Sequence, residues 1–185
     1  MRSKSSNKPD PAPQPNPFKE ECTPERSRLP SGSRAVATFK LILVPIDFSD
    51  CSAAALDYAL ALAQKLESKI MLLHIVEPAA YPENYLLTPA TLDEANQNLM
   101  AAGREKLAAL EQKAKGHERS IETLVRMGRA QSEIPDTAKA IGADLIVLGT
   151  HGYSGPKNAL LGGTAERVVR QAPCPVLTVR HASSS

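Results

Sequence analysis

The residues most able to do chemistry are Gly149, Thr150, His151 and Gly152, with Gly162, Gly163 and Thr164 ten positions further on. They follow a solid apolar run, Asp144 to Leu148, and precede a helical pattern that starts near Ala165. A strand, a glycine-studded loop and a helix N-terminus, in that order, build an anion site. Glycine lets backbone approach a ligand closely. The first N–H groups of a helix lack internal partners and carry partial positive charge. Phosphate is the usual occupant of such a place; a long surface loop with turn glycines is the plainer reading. The loop is not a P-loop, because Gly155 is followed by Pro156 instead of Lys. Nor does a G-x-G-x-x-G turn follow the first apolar run, which ends Pro45-Ile46-Asp47-Phe48-Ser49.

Other candidates carry two readings each. Asp47 ends a strand before a helix, where Asp shapes turns and caps as readily as it binds a ligand. His151 is a phosphate donor or a turn residue, and Lys157 a neutralising cation or a solvated one. Cys51 is a reactive thiol or a small helix residue. Cys174, between Pro173 and Pro175, reads as structural. His74, among apolar neighbours, reads as a satisfied core histidine, and Met127 as core. No serine or cysteine nucleophile is tied to a histidine base, and neither H-E-x-x-H nor C-x-x-C occurs. With no Walker-type magnesium ligands and no arginine finger, the catalytic expectation is none. At most, Asp47 and His151 position a water for slow hydrolysis.

These residues need elements to hold them. Residues 1–38 contain seven of the fifteen prolines, spaced Pro-x-Pro from Pro9 to Pro17, and few large aliphatic side chains. Such a stretch cannot bury enough apolar surface to offset ordering entropy, so a disordered tail over 1–38 is expected. It lacks the apolar segment of a secretory signal. Residues 39–181 form one domain with room for a core, and 182–185 a flexible end. The tail carries seven basic and four acidic side chains of the chain's 22 and 20. The near-neutral domain argues against nucleic acid as a partner, and no run is long enough to span a membrane. Three scattered cysteines point to a reducing compartment, the cytoplasm.

Apolar runs at Phe39–Val44, Lys69–Val76, Ile121–Met127, Leu145–Leu148 and Val176–Val179 read as five strands. Between them lie helical patterns. The first is capped by Ser49 or Asp50 and buries Ala55, Ala59, Leu62 and Leu66. The second opens on a Thr91-x-x-Glu94 capping box. The third is capped by Ser132, carries Pro135 in its first turn and stops at Gly142. The fourth runs from Ala165 to Gln171. Strands that alternate with helices and are apolar throughout imply a doubly wound parallel sheet covered on both faces.

The spacing G-x2-G-x9-G through Gly149, Gly152 and Gly162 resembles the universal stress protein family. So do Leu43 to Ser49, Leu72 to Val76, Ala165 to Val168 and Ala172 to Arg180. The resemblance covers about residues 38 to 181 and points to the family's nucleotide-binding branch. It implies an α/β, Rossmann-like, adenine nucleotide alpha hydrolase-like fold with strand order 3-2-1-4-5. It also implies that ATP, with AMP as the alternative, binds at the crevice between strands one and four. Any Mg2+ would be held mainly by the phosphates, with no protein metal site. The implied nucleotide-binding residues are Pro45, Ile46, Asp47, Ile75, Leu148, Gly149, His151, Gly152, Gly162, Gly163 and Thr164. Pro45, Ile46 and Asp47 would line the adenine pocket. The family's motif ends Gly-Ser/Thr, whereas Gly163 follows Gly162 here. A Ser at 163 would complete a capping box with Glu166, and Thr164 is left to supply the hydroxyl. A homodimer through strand five, at Val176, Leu177, Thr178 and Val179, is implied as well. The implied role is that of a stress-response regulator; a nucleotide-independent dimeric scaffold or a slow ATPase are the alternatives.

Overall fold

The computed structural model describes residues 38–78, 89–114, 120–152 and 161–180. Residues 1–37 of the expected disordered tail, the C-terminal end expected at 182–185 and Lys157 fall outside them. Each apolar run forms a strand: β1 (Leu41–Pro45), β2 (Lys69–Val76), β3 (Ile121–Met127), β4 (Leu145–Gly149) and β5 (Val176–Val179). The helices are α1 (Asp50–Leu66), α2 (Pro89–Ala114), α3 (Ala130–Ile141) and α4 (Gly163–Gln171). All pairings are parallel and the sheet order is β3-β2-β1-β4-β5. Leu41 lies opposite Lys69, and Ile42 opposite Leu145, so β1 sits at the centre.

Strand alternation sends side chains to two cores. Ile42, Val44, Ile70, Leu72 and Val147 pack with Ala55, Leu56, Ala59 and Leu60 of α1 and Leu107 of α2. Leu43, Leu73, Ile146 and Leu148 pack with Ile134 and Ala138 of α3 and with Ala165 and Val168 of α4. Leu43, Leu72 and Ile146 are fully buried, each stabilising the fold by roughly 1.5–3 kcal/mol through its apolar side chain. At the far end of β1 from the crevice, Asp144 Oδ2 accepts from the Lys40 and Leu41 amides at 2.8 and 3.0 Å. That clamp ties the start of β1 to the approach to β4.

Several helix boundaries and faces differ from expectation. The buried face of α1 is Ser52, Ala55, Leu56, Ala59, Leu60 and Ala63. Leu62 is half-buried and Leu66 is exposed, because the chain leaves the helix at Glu67 in a left-handed conformation. Helix α2 starts at Pro89, so Thr91 lies in its first turn and is not the N-cap. Proline suits that first position, since its missing N–H would lack a helical partner anyway. Helix α3 starts at Ala130 with Arg129 as N-cap, which puts Ser132 inside the helix and Pro135 beyond its first turn. Gly142 does end it, at φ 65°.

Candidate functional site

At the carboxyl ends of the strands, where the order reverses between β1 and β4, lies a crevice of about 460 Å³. Ligands of open α/β sheets bind at such switch points. Pro45, Ile46 and Asp47 enter it from β1, Ile75 from β2, Leu148 to Gly152 from β4 and the turn after it, and Gly162 to Thr164 from the start of α4. All eleven sequence-named candidates thus come together. The crevice also takes in Ser52, Leu73, Thr150, Ala165 and the start of α3 through Ala130, Gln131 and Ile134. Thr150 sits inside the glycine motif and was open to recognition. The α3 contribution depends on the crossover from β3 to β4 that packs α3 against α4 and β2, which no local pattern announces.

Gly149 and Gly162 are required first by the protein's own backbone, and Gly152 by a single side chain. A Cβ at Gly149 would lie 2.8–2.9 Å from Cys51 Cβ and the Cys51 backbone, so β4 and the first turn of α1 could not approach as they do. A Cβ at Gly152 would lie 2.6 Å from Asp47 Oδ2. At Gly162 it would come within 3.2 Å of the Thr150 carbonyl oxygen. That carbonyl accepts from Gly162 N–H at 2.8 Å, and the Thr150 amide donates to the Val179 carbonyl at 2.9 Å. The two halves of the motif are therefore pinned together, and pinned to β5.

Gly163 differs from expectation. The N-cap of α4 is Gly162, extended at φ −73° and ψ 156°, and its carbonyl accepts from Glu166 N–H at 2.9 Å. Gly163 is the first helical residue and Glu166 the fourth, so a Ser at 163 could not form the capping box, which needs its acid three residues after the cap. Among the described residues a Cβ at Gly163 would meet nothing within 4 Å. Gly162 has no side chain with which to cap α4, so among the described residues the helix's first N–H groups are offered to the crevice. The N-terminus of α1 differs, because Ser49 Oγ accepts from Ser52 N–H at 3.2 Å.

The turn after β1 aims Asp47. Its Oδ1 accepts from Ser49 N–H at 3.0 Å and from Ser49 Oγ–H at 2.5 Å. Phe48 is left-handed, φ 63°, uncommon for a bulky residue. Its ring packs on His74 at 4.6 Å between centroids, with Lys106 Nζ 5.4 Å from its own centroid. His74 Nδ1 lies 2.8 Å from the Ile46 carbonyl oxygen, the satisfied partner expected for it. Met127 is half-buried at the end of β3. Burial and, secondarily, the Asp144 carboxylate push the Cys174 thiol pKa up, so it favours the unreactive protonated form. Among the described residues no three His, Cys, Asp or Glu side chains gather to hold a metal ion. No helix among them is long and apolar enough to cross a membrane.

Comparison with known proteins bears on this geometry. The model of the universal stress protein family matches residues 38–180. Universal stress protein YxiE of Bacillus subtilis is 34% identical over 147 residues, 77% of this chain and 99% of that one. The structure of universal stress protein UspA from Lactobacillus plantarum matches with TM-score 0.69 and 31% identity, over 78% of this chain and all of the other. A universal stress protein solved in complex with cAMP matches with TM-score 0.50 and 26% identity, over 78% of this chain and 99% of that one.

Proposed function

The chain belongs to the universal stress protein family, and from that premise we propose that it binds an adenine nucleotide, ATP before AMP, in the β1/β4 crevice. One observation carries the reading. The uncapped N-terminus of α4 and the glycine motif face the same cavity as Asp47, Ile46 and Ile75. This juxtaposes an anion-binding end with a partly apolar end carrying one carboxylate, which is the pattern a phosphorylated nucleoside presents in reverse. The relative solved with cAMP supports a nucleotide of this class. Ile46, Ile75 and Leu148 would pack against the base, and Asp47 would accept from an amine or hydroxyl of base or ribose. The amides of Gly163 and Thr164, with the Thr164 hydroxyl, would hold phosphate. Any Mg2+ would be carried by the phosphates. We propose a cytoplasmic stress-response regulator that works as a homodimer through β5 and binds nucleotide without a built hydrolytic apparatus. Calorimetric titration with ATP, AMP and GTP, with and without Mg2+, tests the site. Saturable binding of the adenine nucleotides is expected. Absence of binding, together with native mass spectra free of copurified nucleotide, would leave the dimeric scaffold as the function.

A further inference from the structure

Helices α1 and α2 cover the same face of the sheet but hardly touch each other. Helix α1 settles over β1 and β4, and α2 over β2 and β3, so a seam is left between them. The seam holds a second cleft, of about 350 Å³, within the range of small-molecule sites, roughly 300–1,000 Å³. It shares Ile46 and Ser52 with the β1/β4 crevice, and none of that crevice's glycines. Small side chains keep it open, Ala53 on α1 and Ala114 on α2. Leu56 and Leu60 of α1 and Leu110 of α2 make its walls apolar. Phe48 also lines it, in the left-handed conformation that a bulky residue keeps only with support from its surroundings. Backbone strain of that kind gathers at ligand-binding positions.

The hydroxyls inside the cleft are engaged by the fold. Ser49 Oγ–H donates to Asp47 Oδ1 at 2.5 Å, and Ser52 Oγ–H to the Ser49 carbonyl at 2.9 Å. An occupant therefore meets an apolar interior, and its polar end must stay with the charges at the rim. Those are Asp57 on α1 and Lys113 on α2, both exposed. Neither is held in an ion pair among the described residues, with the other or with a third side chain. One charge of each sign, on opposite walls, complements a molecule that carries both. We propose that the cleft binds a small zwitterion with an apolar body, the chemistry of a free branched-chain or aromatic amino acid. The apolar side chain would lie among Leu56, Leu60 and Leu110. The ammonium would donate to the Asp57 carboxylate, and the carboxylate would accept from Lys113 Nζ. This site does not depend on the nucleotide reading, since the two cavities share only a wall.

The test titrates leucine, glycine, isocaproate and isoamylamine into the isotope-labelled full chain and follows backbone amide shifts. Leucine is expected to saturate with a Kd of roughly 1–10 mM, as suits a ligand of few atoms. It should move the amides of Ala53, Leu56 and Leu110 and leave those of Gly149 and Gly163 in place. Glycine, without the apolar body, should not bind. Isocaproate is leucine without its ammonium and isoamylamine is leucine without its carboxylate. Each should bind about two- to fivefold more weakly, the size of a solvent-exposed ion pair. Asp57→Asn should weaken leucine by that factor and leave isocaproate unchanged. Lys113→Gln should weaken leucine and leave isoamylamine unchanged. Ala53→Phe fills the cleft from an exposed helix position and should abolish binding at an unchanged melting temperature. Should that variant melt lower, the two conservative rim variants carry the test. Unchanged leucine affinity in both of them, or equal affinities for leucine, isocaproate and isoamylamine, would overturn the proposal. So would glycine binding as tightly as leucine, or no saturation up to about 100 mM leucine. Leucine shifts confined to Gly149 and Gly163 would put the ligand in the β1/β4 crevice and overturn it too.

Discussion

A single methyl group separates the two kinds of glycine in the crevice. Gly149→Ala places its Cβ against the Cys51 backbone, which cannot swing aside. Forcing atoms into a packed contact costs typically 1–3 kcal/mol, so the melting temperature should drop by several degrees, at roughly 2–4 °C per kcal/mol. Among the described residues Gly152→Ala meets only the carboxylate of Asp47, at 2.6 Å. Here the side chain must turn, and we expect adenine-nucleotide affinity to collapse while calorimetric melting moves little. The reverse pattern, a stable Gly149 variant and an unfolded Gly152 variant, would contradict this division. Gly163→Ser enters open space and forms no capping box. Its stability should stay within about 0.5 kcal/mol of wild type, the range of substitutions that disturb no contact; a clear stabilisation in urea melts would show that the helix starts one residue later.

At the scale of elements, each helix start was harder to read than the helix itself. Ser49 caps α1 as its type suggests, and Ser49→Ala should cost about 0.5–2 kcal/mol. This would appear as a lower urea midpoint at unchanged slope. Thr91 and Ser132 carry the same chemistry yet lie inside α2 and α3, because Ser and Thr are tolerated in a first turn as well as before it. The strands were legible for a sturdier reason. Ile42, Leu43, Val44, Ile146 and Val147 are apolar on both faces because both faces are covered, and that run survives any shift of register. The glycine motif and Asp47 were legible as local patterns. Their meeting was legible only through the strand order that the resemblance implied. What stayed hidden was the side of the crevice built by Ala130, Gln131 and Ile134, since these residues become neighbours of Gly149 only after the crossover is made.

For the whole molecule, β5 is an edge strand beside β4. Its Pro175 and Val179 carbonyls accept from Ile146 and Thr150 amides, so by strand alternation the backbone groups of Val176 and Thr178 face the open side. An edge of this kind, with no strand beyond it among the described residues, invites pairing with a second copy. Thr178→Pro removes one outward N–H without breaking the ladder to β4, and a single-species monomer in sedimentation is expected where wild type sediments as a dimer. Wild type sedimenting as a monomer at tens of micromolar, where weak interfaces begin to fill, would refute the dimer. Lysine at 176 is the poorer test, because Val176 packs on the α3/α4 core. The central place of β1 also sets a timetable for synthesis. One flank of β1 is met by β2, complete at Val76, but the other waits for β4 at Leu145. Leu145 follows the end of β1 at Pro45 by 100 residues, so at about 5–20 residues per second of translation that flank stays unpaired on the ribosome for roughly 5–20 s. The nascent chain thus spends that interval with one flank of a strongly apolar strand exposed, and this is the window in which a chaperone would find it.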